Sequence, residues 1–337
     1  MKYRAILGLI GVALLICPSS AQLRTNGYFS LSYLQGQRQS PFAQGSSQDV
    51  QAGLIFSGDF APRFSYALEI RSKDISRFEI EQAWAGFLAS EAFQARVGLF
   101  LVPFGRYNES NRAFQTRLVE VPLPAGEIYP ASWREIGIIT LGKTRTLTYA
   151  AYLGNGLAEG GNLASGQQFR DNNPDKGRGG RVSVLLGRST EIGVSYYSGK
   201  IDSENMRGIS MLGADAAWSS QDINISGEYI KAEIENPAPY AKGRAEGFYV
   251  LGTVRFGSVA PLVAYQKSRY EDAFHGLGQT GTLSPGLGIF ENRSLWAIGL
   301  TAALHPNVLL KAEYDFTKDA NRALKYNVFR AQAAVHF

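Results

Sequence analysis

The sequence has one cysteine and three histidines in 337 residues. The cysteine, Cys17, lies in the apolar N-terminal stretch, so the chain beyond it has neither a disulfide nor a thiolate metal site. The histidines are His275, His305 and His336. His305 belongs to a turn-like HPN and His336 to the final apolar-alternating segment. Only His275, in a polar connection, stands where a general base would be useful, and a lone histidine without a nucleophile defines no triad.

Long hydrophobic runs are also missing. The run over residues 5–17 is shorter than the roughly 20 apolar residues of a spanning helix, and no later stretch approaches that length. With Lys2 and Arg4 before it and Pro18, Ser19, Ser20 and Ala21 after it, the run reads as a secretory signal cut after Ala21. The exported part is then 22–337, and any membrane segment within it must be strand. Acylation of Cys17 is the competing reading, opposed by Ile16, which stands where a small residue is expected.

Charge of one sign does not dominate either. There are 34 basic and 29 acidic residues; the signal holds two of the basic ones, leaving 32 against 29, a net +3. That near balance is not a nucleic-acid footprint. No glycine-rich loop joins a strand to a helix, so there is no phosphate cradle of that kind. The acids of the Gly/Asn-rich stretch 154–178 and its neighbourhood, Asp171, Asp175 and Asp202, follow no calcium-loop spacing. No cofactor is implied.

What the chain does have is glycine (37), phenylalanine (19) and tyrosine (17), with 19% charged residues. This mixture suits a β protein that is apolar outside and polar inside. Phe64, Tyr66, Leu68 and Ile70 alternate with Ser65, Ala67, Glu69 and Arg71, the period of a strand with one greasy face. Strands are expected at 27–34, 48–57, 63–73, 77–88, 93–101, 134–142, 144–153, 179–186, 190–200, 209–219, 222–233, 247–256, 259–269, 294–304, 308–317 and 326–337. Short connections alternate with longer polar ones, the rhythm of periplasmic turns and outer loops. In the last strand Phe329, Ala331, Ala333, Val335 and Phe337 share a face opposite Arg330, Gln332 and His336. An antiparallel up-and-down transmembrane β-barrel of about 16 strands follows, closed because a strand edge in lipid would leave its N–H and C=O groups unpaired. Aromatics such as Tyr33, Trp84, Trp218, Tyr229 and Trp296 would ring the membrane interfaces.

Charged residues that fall on the small or polar face are assigned to a water-filled lumen, since on the lipid face they are costly. These are Glu69, Arg71, Glu79, Glu81, Arg96, Arg181, Glu191, Asp215, Glu228, Arg255, Lys311, Glu313, Asp315 and Arg330. The third long connection, after the strand ending near Leu101, is the most informative segment. Pro103 ends regular pairing, and Arg106, Glu109, Arg112, Arg117, Glu120 and Glu127 then interleave with Pro122, Pro124 and Pro130. A segment this long without structure of its own is usually functional.

Gly98, Phe100, Pro103, Phe104 and Gly105, followed by Glu109, resemble a local pattern of the phosphate-selective porin O and P family. The position of the connection resembles the inward-folded constriction loop of trimeric bacterial porins. The resemblance implies an outer-membrane homotrimer passing small hydrophilic solutes or ions. Its partners would be membrane lipid and lipopolysaccharide, with the barrel-assembly machinery reading the C-terminal strand. The family's lysine-rich constriction is not matched, because no lysine lies between Arg96 and Arg134. The residues therefore point to passive diffusion with a weak lean to anions. A phosphate- or other anion-specific uptake channel is the first alternative; an adhesin or an outer-membrane hydrolase follows.

Overall fold

The computed structural model describes residues 22–38, 40, 42–73, 76–160, 163–236, 238–271, 292–319 and 327–337. The expected signal with Cys17, and also His275, lie outside the described residues.

Sixteen strands form one closed antiparallel barrel in which each pairs with its sequence neighbours and the first with the last. They are β1 (Gln22–Gly36), β2 (Ser46–Ala61), β3 (Phe64–Lys73), β4 (Arg77–Ser90), β5 (Phe93–Leu101), β6 (Arg134–Lys143), β7 (Leu147–Gly154) and β8 (Gly177–Leu186). The second half comprises β9 (Thr190–Lys200), β10 (Gly208–Ser219), β11 (Ile223–Ile234), β12 (Gly243–Val254), β13 (Val259–Glu271), β14 (Asn292–His305), β15 (Val308–Asp319) and β16 (Val328–His336). Closure runs from Tyr28 opposite His336 to Gly36 opposite Val328. Gly27 and Phe337 complete it by exchanging backbone hydrogen bonds of 2.7 and 2.9 Å. No edge is left between first and last strands.

Alternation decides which residues meet which surroundings. Val97, Ile138, Val194, Leu212, Val250 and Ile298 point outward and are exposed. An apolar outer surface of this extent is tolerated only against hydrocarbon or another protein surface. Inside, a 16-strand barrel is too wide for wall side chains alone to fill. The buried apolar cluster accordingly joins wall residues Phe100, Tyr152 and Tyr197 to Phe104, Ile128, Tyr129 and Trp133 from the β5–β6 connection.

Two expectations are corrected. Arg255, assigned to the lumen wall, lies beyond the end of β12 in the short turn to β13, where it is exposed. Its guanidinium donates to the Gln221 carbonyl at 2.7 Å and lies 3.5 Å from Asp222. The alternation continued past the last rung, but the ladder stops there because Gly257 turns the chain at φ +62°. Trp84, assigned to an interfacial ring, is internal. The β3–β4 register slips between Glu69 opposite Gln82 and Ile70 opposite Ile80, leaving Glu81 as an extra residue. Such a bulge reverses the facing of everything after it, and the Arg96 guanidinium sits 4.1 Å above the Trp84 ring. β7 also starts later than expected, because the Thr144 hydroxyl and N–H close a turn onto Leu147.

Candidate functional site

The β5–β6 connection, residues 102–133, begins with a backbone approach that only glycine permits. Gly98 has φ +131°, and a Cβ there would lie 2.2 Å from the Ala83 carbonyl oxygen of β4. Pro103 then releases the chain from the ladder. Gly105, at φ +64°, lets the chain turn against the far wall: a Cβ would stand 2.4 Å from Glu228 Oε2. The Gly105 N–H donates to Ser195 Oγ on β9 at 3.0 Å, and the Arg106 and Tyr107 N–H groups both donate to Glu228 Oε1 on β11 at 2.6 Å.

Asn108 ties the two ends of the connection together. Fully buried, it donates through Nδ2 to the Val102 and Trp133 carbonyls, both at 2.8 Å, and accepts the Trp133 N–H at 2.8 Å. Trp133 packs edge-on to Tyr197 at 4.7 Å, and Phe104 lies 5.5 Å from both Tyr129 and Trp133. Burying each such ring stabilises by about 1.5–3 kcal/mol, so this end of the connection is a small hydrophobic core.

From there the partners circle the barrel. Arg112 donates through both Nε (2.8 Å) and Nη2 to Glu69 on β3, a two-pronged ion pair. Glu69 also accepts from Tyr28 and Gln82, each at 3.0 Å. β3 and β11 stand eight positions apart in the ring of sixteen, on opposite sides of the barrel. Lys311 Nζ on β15 donates to Thr116 Oγ1 at 2.9 Å and to the Leu118 carbonyl at 3.1 Å. Glu313 accepts the Val119 and Glu120 N–H groups at 2.9 and 3.0 Å. Leu123 N–H donates to Gln266 Oε1 on β13 at 2.8 Å, and a short helical turn, Pro124–Glu127, follows. Ser132 closes the circuit by donating to Glu81 on β4.

The remaining charges fall into pairs. Arg106 reaches Glu191 at 2.6 Å; Arg181 joins Glu191 (2.9 Å) and Asp215 (2.6 Å). Arg330 bridges Glu120 of the connection and Asp315 of the wall, while Arg293 bridges Glu127 and Asp319. Arg71 holds Glu81 at 3.0 Å, and Arg134 holds Glu79 at 3.1 Å and Glu81 at 3.3 Å. Arg112 is held above the ordinary arginine range: burial works against its charge and Glu69 outweighs it. Burial raises Glu127 to about 7, with Arg293 opposing. Among the described residues Arg117 has no ion pair; Glu109 is exposed, and only its carbonyl accepts from Arg112, at 3.4 Å.

Two cavities flank the connection and share Pro122. One, of about 260 Å³, is lined by Arg106, Arg117, Gln115, Thr116, Asn224 and Thr253 among others, and its lining contains no carboxylate. The other, of about 730 Å³, mixes Glu120, Glu127 and Asp319 with Arg38, Arg293 and Arg330. Glu109 faces a third space of about 190 Å³ with Gln94, Lys143 and Arg181. The acids weighed for calcium are engaged elsewhere: Asp171 with Lys176, Asp175 with the Lys200 N–H, and Asp202 with the Met206 and Arg207 N–H groups.

Sequence reasoning missed Asn108, Ser195, Gln266 and Arg293. Three are uncharged residues, visible only through their partners. Arg293 lies at the start of β14, in a stretch read as loop.

No known protein-family model matches the chain. An uncharacterized protein of Aquifex aeolicus is 24% identical over 226 residues, 60% of this chain and 51% of its own length. The chain thus spans about half the length of that relative. Among solved structures, the loop L8 deletion mutant of OmpT, an outer membrane protein of Vibrio cholerae, superposes with a TM-score of 0.68 at 11% identity, covering 95% of this chain and 100% of that one. The outer membrane channel DcaP of Acinetobacter baumannii gives 0.67 at 10%, covering 95% and 98%. The anion-selective porin from Comamonas acidovorans gives 0.66 at 10%, covering 94% and 100%. The fold is the sixteen-stranded barrel of bacterial outer-membrane porins.

Proposed function

We propose that the chain forms a passive, water-filled channel in the bacterial outer membrane, narrowed by residues 102–133 folded inward. The observation that carries this reading is the attachment of one connection to Glu228 on β11 and to Glu69 on β3, across the barrel. A segment so tied must cross the interior, and solutes must pass what it leaves open. Longer connections then face outward and short turns face the periplasm, as in porin barrels generally. The trimeric form of OmpT among the similar structures supports assembly as a homotrimer.

Selectivity follows from which charges stay unneutralised near the narrow section, because at physiological salt a charge acts over only about 8 Å. Most lumen charges are paired. Arg117 is not, and it shares with Arg106 a cavity lacking carboxylates. This favours a modest anion preference, and a specific anion-uptake channel is the second reading on the same ground. The resemblance to the phosphate-selective porin O and P family stays confined to 98–109, where Gly98 and Gly105 serve close backbone approach.

Reconstitution in planar bilayers tests the proposal. Stepwise conductance is expected, with a reversal potential in a salt gradient displaced toward the anion. Correctly inserted protein without conductance overturns the channel, and a cation-directed reversal potential overturns the selectivity.

A further inference from the structure

PLACEHOLDER

The carboxylates of this patch are already engaged. Glu233 holds Lys231 at 3.1 Å and Arg244 at 3.6 Å; Glu246 holds Arg269 and accepts the Tyr229 hydroxyl at 3.0 Å. Lys267 and Lys318 have no ion-pair or hydrogen-bond partner among the described residues. They flank Ser294 two strands apart, about 10 Å at the usual strand spacing. Two free ammonium groups directly above an aromatic shelf, on a surface otherwise apolar, lack a counter-anion that also carries hydrocarbon.

We propose that this face binds the phosphorylated head group of lipopolysaccharide, with phosphate between Lys267 and Lys318 and acyl chains lying over Trp296 and Phe316. The inference rests on the outer-membrane orientation given above, which places the long-connection end, and therefore this patch, at the outer leaflet. Cationic side chains near a membrane surface attract anionic lipid one by one. Both lysines are needed here because each alone contacts only one side of the phosphate.

Binding of purified lipid A to the full chain in detergent tests this, read by native mass spectrometry against its dephosphorylated form and against phosphatidylglycerol. Lipid A is expected to bind at least tenfold more tightly than either. The K267Q/K318Q double variant should lose that margin, and the W296A variant should weaken binding without abolishing the phosphate dependence. Equal binding of phosphorylated and dephosphorylated lipid A, equal binding of phosphatidylglycerol, or a double variant that binds like the parent overturns the proposal. Conductance of the double variant in bilayers free of lipopolysaccharide should be unchanged. A parent that binds lipid A but does not conduct defeats the channel reading and leaves this one standing.

Discussion

Asn108 is the residue on which the connection's geometry most depends. Its amide supplies both donors and the acceptor that join Val102 and Trp133 where no water reaches. Each buried group left unpaired costs about 1–3 kcal/mol, so N108A should detach the base of the connection while the wall persists. Limited trypsin digestion of the folded barrel reads this directly: cleavage after Arg106, Arg112 or Arg117 should rise markedly over the parent. Glu127 offers a second test at this scale. It faces Arg293 on β14, Asp319 on β15 and Ser268 on β13, and titrates at about 7. Lowering the pH from 8 to 6 protonates it, which removes negative charge from the 730 Å³ cavity and adds net positive field. Anion preference should therefore increase as pH falls across that range. E127Q should show the more anion-selective reversal potential throughout, and an unaltered pH response in that variant would refute the assignment.

At the scale of the element, residues 102–133 have little regular structure and are held by wall side chains. Glu228 and Glu313 each take two successive backbone N–H groups, as a sheet edge or helix end would otherwise do. This satisfies the rule that buried backbone polar groups find partners and explains why carboxylates occur on strands beside it. Deleting 108–120 should widen the narrow section, and single-channel conductance should increase. Unchanged conductance would mean that the segment does not limit passage. Half of this arrangement was legible in the sequence. Pro103 marked where the strand ends, and the interleaved charges marked the segment as functional. The pairings were not legible, because Glu313 meets Val119 across 194 residues and local periodicity carries no information at that separation.

At the scale of the whole molecule, the barrel stands or falls with its closure. Phe337 exchanges both backbone hydrogen bonds with Gly27. Its removal shortens the β1–β16 seam and opens two edges near the chain ends. Deleting Phe337 should reduce the fraction of compact, heat-modifiable barrel on gel electrophoresis after refolding, and unimpaired refolding would show that the seam tolerates the loss.

The strand count, the identity of most lumen charges and the outward apolar surface are determined by the sequence alone, because a period of two states directly which side chains share a face. Glu69, Arg71, Arg181 and Lys311 all follow it. Only the tertiary structure decides where that period breaks and what the lumen residues hold. The extra residue at Glu81 turns Trp84 inward, and the last rung at Val254 leaves Arg255 in a turn. Both depend on pairing with a neighbouring strand. The charges expected to line open water are for the most part bonded to one another or to the backbone of the connection. Desolvated charges require partners, and those partners arrive only when the chain closes.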